Sequence, residues 1–233
     1  MKDEIAQSEP FLTWLIEWEA SLPVLPLADI KPEATAVISE DLLKGFCSVG
    51  PLSSPRAQGI VPRVVSLFKS LHKVDVQHYL LMQDTHEEQA LEFGAFPPHC
   101  VAGSEESETI PELLELPFSE EFIVFEKNSI SSTVGTALPD WLEEHPEITT
   151  FIVVGVCTDI CIYEMAMDLR MRANARGEAG VRVIVPADCV QTYDVSVETA
   201  QEIGAMPHDG DLLHRIFLYQ MALNAIEVVD HIA

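Results

Sequence analysis

The stretch Phe151-Ile152-Val153-Val154-Gly155-Val156-Cys157-Thr158-Asp159-Ile160-Cys161-Ile162-Tyr163 restricts this chain most. An apolar run too short for a helix stops at a glycine, takes a short polar-and-cysteine step, and enters helix-forming sequence from Glu164 to Arg176. That order predicts a buried parallel strand, a tight turn and a helix whose first turn carries Cys161. A thiol at that place meets the positive end of a helix dipole and backbone N–H groups without helical partners. Such a setting lowers a thiol pKa and also holds an oxyanion.

The rest of the chain repeats the strand-then-helix theme. Strands are expected at 35–39, 76–83, 122–125, 181–185 and 226–229. Helices are expected at 62–73, where Pro62 falls in the first turn, at 137–145, and near 195–206 and 211–223. Residues 87–111 form a long polar loop with Pro97-Pro98. Strands alternating with helices predict a three-layer α/β/α fold around a mostly parallel sheet of about five to six strands. Residues 1–33 stand apart from residues 34–233 as an appendage, in which Phe11, Trp14, Leu15 and Trp18 recur at helical spacing before Pro23, Pro26 and Pro32. That helix is expected to dock on its own domain or on a sister subunit; a homo-oligomer is expected.

Composition removes several classes. A net charge of −25 argues against nucleic acid and against anionic membrane as partners. No apolar run reaches the roughly 18 residues that span a bilayer. The start Met1-Lys2-Asp3-Glu4 lacks the basic-then-apolar form of a signal peptide. Five scattered cysteines do not form a secreted disulfide framework, so a reducing cytosol is expected.

Asp41, Asp84, Lys127 and Cys161 all fall just past the carboxyl ends of predicted strands, the edge where open α/β sheets bind ligands. A thiol is a nucleophile only as thiolate, so it needs a base or a cation nearby. Asp41 has the chemistry to take the thiol proton, and Lys127 to favour the anionic forms of both neighbours. Taken singly, each has a plainer reading: a helix cap, a solvated lysine, a core cysteine. Asp84, His86 and His99, with Glu92 between them, carry a carboxylate and imidazoles suited to Zn²⁺, Mn²⁺ or Fe²⁺. The plainer reading there is a hydrogen-bonded loop. His72, His78, His145, His208, His214 and His231 show no ligand spacing, and surface or helix-face roles are expected. Glu105-Glu106-Ser107-Glu108 reads as a solvated loop.

Gly155-Val156-Cys157-Thr158-Asp159-Ile160-Cys161 resembles the nucleophile motif of the nicotinamidase/isochorismatase-like cysteine hydrolases. Asp41-Leu42-Leu43-Lys44-Gly45-Phe46-Cys47 resembles that family's first motif, and Glu126-Lys127 its lysine after the third strand. Asp84-Thr85-His86 with Phe96-Pro97-Pro98-His99 is similar to the metal loop of the nicotinamidases, and Glu92 to an additional ligand in some of them. The resemblance runs from about residue 34 to 230 and implies the isochorismatase-like hydrolase fold. It implies an amidase with Cys161 as nucleophile, Asp41 and Lys127 as its catalytic partners, and the N–H groups of Cys157 and Cys161 as oxyanion hole. It further implies a cis bond before Cys157, a divalent metal (zinc first) on Asp84, His86, His99 and Glu92, and a small amide, nicotinamide, between Phe46 and Phe96. Another small amide or isochorismate is the alternative substrate, and a non-catalytic binding protein the alternative class. Cys157 is read as a small residue filling the turn, with a Cys157–Cys161 redox pair as the competing reading. Glu40, before the catalytic aspartate, departs from the family's usual apolar residue, as do Lys44 and Gly45 from its usual polar pair.

Overall fold

The computed structural model describes residues 2–233. Strands β1 (Thr35–Glu40), β2 (His78–Asp84), β3 (Phe122–Lys127), β4 (Thr150–Val156), β5 (Arg182–Pro186), β6 (Val190–Gln191) and β7 (Glu227–Val229) form one sheet. Its order is β3-β2-β1-β4-β5-β7, with β6 pairing the end of β4, and every pairing is parallel. The sheet has one strand more than the largest number expected. The addition is the two-residue β6, too short to leave any periodicity in the sequence.

Helices α1 (Lys2–Ala20), α2 (Lys44–Cys47), α3 (Pro55–Lys73), α4 (Pro111–Leu114), α5 (Leu138–Glu144), α6 (Cys161–Arg176), α7 (Val197–Ile203) and α8 (Gly210–Leu223) complete the fold. Side chains alternate across a strand, so each central strand supplies two cores. Val37, Leu81, Ile152 and Val154 pack beneath Val64, Phe68 and Leu71 of α3. Ala36, Ile38, Leu80 and Val153 pack on the other face against Ile162, Met165 and Leu169 of α6 and Leu218 of α8. β1 and β4 are buried at every residue, which is why they read as continuous apolar runs rather than alternating ones.

Helix α3 starts earlier than expected. Ser54 caps it by accepting from the Arg56 N–H at 3.2 Å, and Pro55 occupies its first turn. Pro62 lies inside the helix, without the N–H that would bond back to Gln58. At the amino end, α1 buries Leu15, and the rings of Phe11, Trp14 and Trp18 surround Tyr219 of α8. Arg215 Nε donates to Glu19 Oε2 at 2.6 Å beside them. No helix among the described residues is long and apolar enough to cross a membrane.

Sheet order fixes where a site can form. β1 passes to β2 on one side, and the chain later returns to place β4 on the other side of β1. The carboxyl ends of β1 and β4 therefore flank a switch point, where an α/β sheet opens a crevice. Gly155 lets the two strands close there: its φ is +117°, and a Cβ would stand 2.0 Å from the Glu40 carbonyl oxygen. Gly155→Ala is expected to destabilise the protein by about 3–5 kcal/mol, from overpacking plus a disfavoured φ. Chemical denaturation of the variant checks this; a midpoint equal to that of the parent would refute the close-approach argument.

Candidate active site

Four strand ends deliver the expected residues to one place. Asp41 follows β1 with φ +54°, a left-handed conformation that aspartate tolerates better than most side chains. It is held by its own N–H, which donates to the Met82 carbonyl at 3.0 Å, and by its carboxylate, whose Oδ1 accepts from the Asp84 N–H at 2.9 Å. Asp84 and Lys127 are the last residues of the paired strands β2 and β3 and lie opposite each other in register. Lys127 Nζ donates to Asp41 Oδ2 at 2.8 Å and to Asp84 Oδ1, and stands 3.9 Å from Cys161 Sγ. Cys161 opens α6, as the sequence predicts, and all five cysteines are free thiols.

The electrostatics separate the groups. Burial, together with Asp84, pushes Asp41 up to about 6 against the pull of Lys127. Burial acts on Asp84 in the same direction, but Lys127, His86 and His99 outweigh it and hold that carboxyl far below the ordinary range. Lys127 remains an ammonium because Asp41, Cys161 and Asp84 overcome its own burial. Burial pushes the Cys161 thiol well above its ordinary value, with Lys127 drawing it down and Asp41, Asp84 and Glu40 adding to the rise. This corrects the expectation of a lowered thiol: desolvation among carboxylates exceeds what a helix end supplies. Cys157 is pushed up to about 12 by burial and Asp159, with hydrogen bonds from Thr192 and Tyr193 opposing the rise.

The turn between β4 and α6 contains a cis bond, Val156–Cys157. The N–H groups of Ile160 and Ile162 turn in to the Cys157 carbonyl at 3.0 and 3.1 Å. Those of Cys157 and Cys161 donate to no protein acceptor among the described residues, which leaves both free for an oxyanion.

Beside this group, Asp84, His86, Glu92 and His99 bring their ligand atoms within 4.8 Å of one another. The rings are oriented from behind. His86 Nδ1 donates to Asn128 Oδ1 at 3.1 Å, an oxygen that also accepts from the Glu87 N–H, and His99 Nδ1 donates to the Pro97 carbonyl at 2.8 Å. Each ring thus turns Nε2 toward Asp84 Oδ2, at 3.5 and 3.7 Å. His86 Nε2 is buried without any hydrogen-bond partner, a costly arrangement for a protein atom and the expected one for a metal ligand. Burial opposes charge on His86, but Asp84 and Asn128 outweigh it and raise its pKa. The donor set therefore fits a divalent metal.

Asp41, Cys161, Asp84, Glu92 and His99 all open onto one cleft of about 840 Å³. Phe46 and Phe96 line it as well, their rings set edge-on to His99 at 5.6 and 6.2 Å, while His86 packs behind against Phe93. The opposite wall was not anticipated. It comes from residues 192–195 and 203–206, including Met206, which is 84% exposed. This segment is pinched at its base, where Val195 and His208 exchange two backbone hydrogen bonds of 2.8 Å. A surface or helix-face role is expected for His208 and His214; both are buried, and His214 lies on helix α8. His208 Nε2 lies 2.8 Å from Asp159 and its ring stacks on Tyr193, and His214 Nδ1 meets Thr158 Oγ1 at 2.8 Å. Both brace the nucleophile turn from behind. Burial, with Arg56 and Arg215, lowers His214 to about 4 and keeps it neutral. The acidic run at 105–108 is also partly structural: Glu106 accepts from the Cys100 N–H at 3.2 Å, and Lys44 pairs with Glu105 and Glu108.

The isochorismatase-domain family profile matches residues 35–210. An Arabidopsis thaliana protein named Nicotinamidase 1 is 27% identical over 222 residues, spanning 89% of this chain and 90% of its own length. Among solved structures, a cysteine hydrolase from Pseudomonas syringae superposes with a TM-score of 0.69 at 21% identity, covering 89% of this chain and 93% of its own. A Pyrococcus horikoshii pyrazinamidase in complex with zinc superposes with a TM-score of 0.65 at 21% identity, covering 84% and 98%.

Asn128, absent from the sequence reading, is adjacent to Lys127 and could have been found only by asking what orients His86. Asn128→Ala is expected to weaken Zn²⁺ affinity by about 10–100-fold without altering the fold. Competition with a chromogenic chelator measures this, and unchanged affinity would remove Asn128 from the site.

Proposed function

The chain belongs to the isochorismatase family, and on that premise we propose that it is a metal-dependent amidase hydrolysing nicotinamide to nicotinate and ammonia through a Cys161 thioester. The observation that carries this reading is the sharing of Lys127: one ammonium holds Asp41 beside the thiol and Asp84 inside the ligand cluster. Nucleophile and metal-type donors thereby face the same cleft.

The chemistry follows from the geometry. Asp41, with a pKa of about 6, is ionised at neutral pH and takes the Cys161 proton, while Lys127 favours the thiolate that results. Sγ attacks the carboxamide carbon, and the N–H groups of Cys157 and Cys161 hold the oxygen as it gains charge. Asp41 gives its proton to the departing nitrogen, and ammonia leaves. Asp41 next takes a proton from water as that water attacks the thioester carbon. The acid departs, and Asp41 returns the proton to Cys161. Asp84, His86, His99 and Glu92 would hold a divalent metal, zinc first, which would supply Lewis-acid chemistry toward a heteroaromatic nitrogen. Phe46 and Phe96 flank the ring of the substrate.

A second reading keeps the reaction and enlarges the substrate. The cleft falls near the upper end of the roughly 300–1,000 Å³ typical of small-molecule pockets, more than a single-ring amide fills. A bulkier amide is therefore the alternative.

Ammonia release from nicotinamide by zinc-loaded protein, set against a panel of larger amides, tests both. Cys161→Ala is expected to abolish turnover; full activity in that variant, or no nicotinamide turnover by the parent, overturns the proposal. The rate is expected to fall as pH drops through about 6, because a protonated Asp41 cannot accept the thiol proton. A profile flat from pH 5 to 8 would exclude Asp41 as the base.

A further inference from the structure

Glu40 is wholly buried and takes no part in the reaction above. It ends β1 on the face shared with Ile38, toward α6, while the next residue is the proposed base. Both of its carboxyl oxygens contact the hydroxyl of Ser132, at 2.9 and 2.8 Å, and Ser132 is itself wholly buried. A hydroxyl has one hydrogen and cannot give a full hydrogen bond to two oxygens. A protonated carboxyl matches the geometry: its O–H donates to Ser132 Oγ, and its carbonyl oxygen accepts the Ser132 hydrogen. The charges nearby agree. Lys127 is committed to Asp41 and Asp84, and no other lysine or arginine among the described residues is buried. An ionised Glu40 would be a further buried carboxylate without a cation of its own.

We propose that Glu40 is a positioning residue, held as the neutral acid, whose paired contact with Ser132 fixes the 128–137 segment behind the metal-type cluster. Three contacts of that segment make the consequence concrete. Asn128 orients His86 and the Ile130 N–H donates to Glu92 Oε2 at 3.2 Å. The Ser132 carbonyl accepts from Thr136 Oγ1 at 2.6 Å, just before α5 begins. Glu40 thus connects the strand bearing Asp41 to the backbone that aims two of the ligands. The groups facing it are Asp41 just past β1, Lys127 on β3 and Glu164 on α6. Burial raises the carboxyl, Lys127 opposes the rise, Asp41 adds to it, Ser132 opposes, and Glu164 adds again.

The test compares Glu40→Gln, Glu40→Ala and Ser132→Ala in the full chain. Glutamine reproduces one donor and one acceptor without a proton to lose. Glu40→Gln is expected to keep zinc affinity and kcat/KM within about twofold of the parent, the range of a near-neutral replacement of paired groups. Its melting temperature at neutral pH is expected to equal or exceed that of the parent. The sign follows from the raised pKa: the unfolded chain ionises this carboxyl above about pH 4.3 and the folded chain resists doing so, so Glu40 costs the parent stability as pH rises, a loss the variant does not carry. Glu40→Ala and Ser132→Ala are each expected to weaken zinc affinity by about tenfold or more, as loss of outer support does at metal sites. The double variant is expected to be no worse than the singles, since they remove one interaction. An infrared carboxylic-acid band at neutral pH that vanishes in Glu40→Gln would report the proton directly.

A Glu40→Gln protein as impaired as Glu40→Ala overturns the neutral state. Parent-like zinc affinity in Ser132→Ala, which keeps the carboxyl and so tests the clamp even where Glu40→Ala fails to fold, overturns the positioning role. Only the kcat/KM comparison rests on the amidase reading. Chelator competition, melting and infrared measurements stand without it, so a wrong substrate and a wrong role for Glu40 give different results.

Discussion

One ammonium between two carboxylates organises this molecule. Lys127 is buried at the end of β3 and reaches across β2 to β1, so the three strand ends are tied by charge as well as by the sheet. The two carboxylates do not share it equally in effect. Asp84 has two imidazoles besides and stays ionised far into acid, whereas Asp41 has the thiol as its other neighbour and titrates near neutrality. A single cation therefore gives one aspartate the constancy a metal ligand would need and leaves the other the changeability a proton carrier would need. Removing the lysine would leave both carboxylates buried with nothing to offset their desolvation, so the site and the stability of this sheet edge depend on the same atom.

Much of this was legible in the sequence, for identifiable reasons. β1 and β4 read as apolar runs because they are buried on both faces, and Cys161 opens a helix because an abrupt change of period marks that turn. The three-layer architecture followed from alternation. Asp84, His86 and His99 sit next to rigid or strand-end backbone, so their convergence had a local signal. What the sequence did not reveal depends on long-range contact. The far wall of the cleft at 203–206 is brought in by the Val195–His208 bridge, and nothing local marks it. The bracing contacts of His208 and His214 were not legible because their partners, Asp159 and Thr158, lie about fifty positions away on the turn they support. Pro62 misled in the opposite way: a proline that usually begins a helix was tolerated inside one whose true start was the Ser54 cap.

The thiol shows why the fold and the chemistry must be read together. Position at a helix end predicts an acidified cysteine, yet burial beside Asp41 and Asp84 reverses that expectation, and Lys127 is left to favour the anion. Cys161 is then no standing thiolate. In the proposed reaction it is a thiol whose proton moves only when Asp41 is ready to take it, which would couple nucleophile formation to the same residue that later protonates the leaving group.

The pinched segment between Val195 and His208 bears on how such a protein changes over time. Its base is closed by two backbone hydrogen bonds, and the same histidine is anchored to Asp159 beside the nucleophile. Whatever lies between those anchor points forms a wall of the cleft but carries none of the sheet's packing. Doubling the length of a closed loop costs only about 0.6 kcal/mol. That stretch is thus the part of the molecule where insertion, deletion or exchange meets the least resistance, so new specificities can be acquired there while the reacting atoms stay where they are.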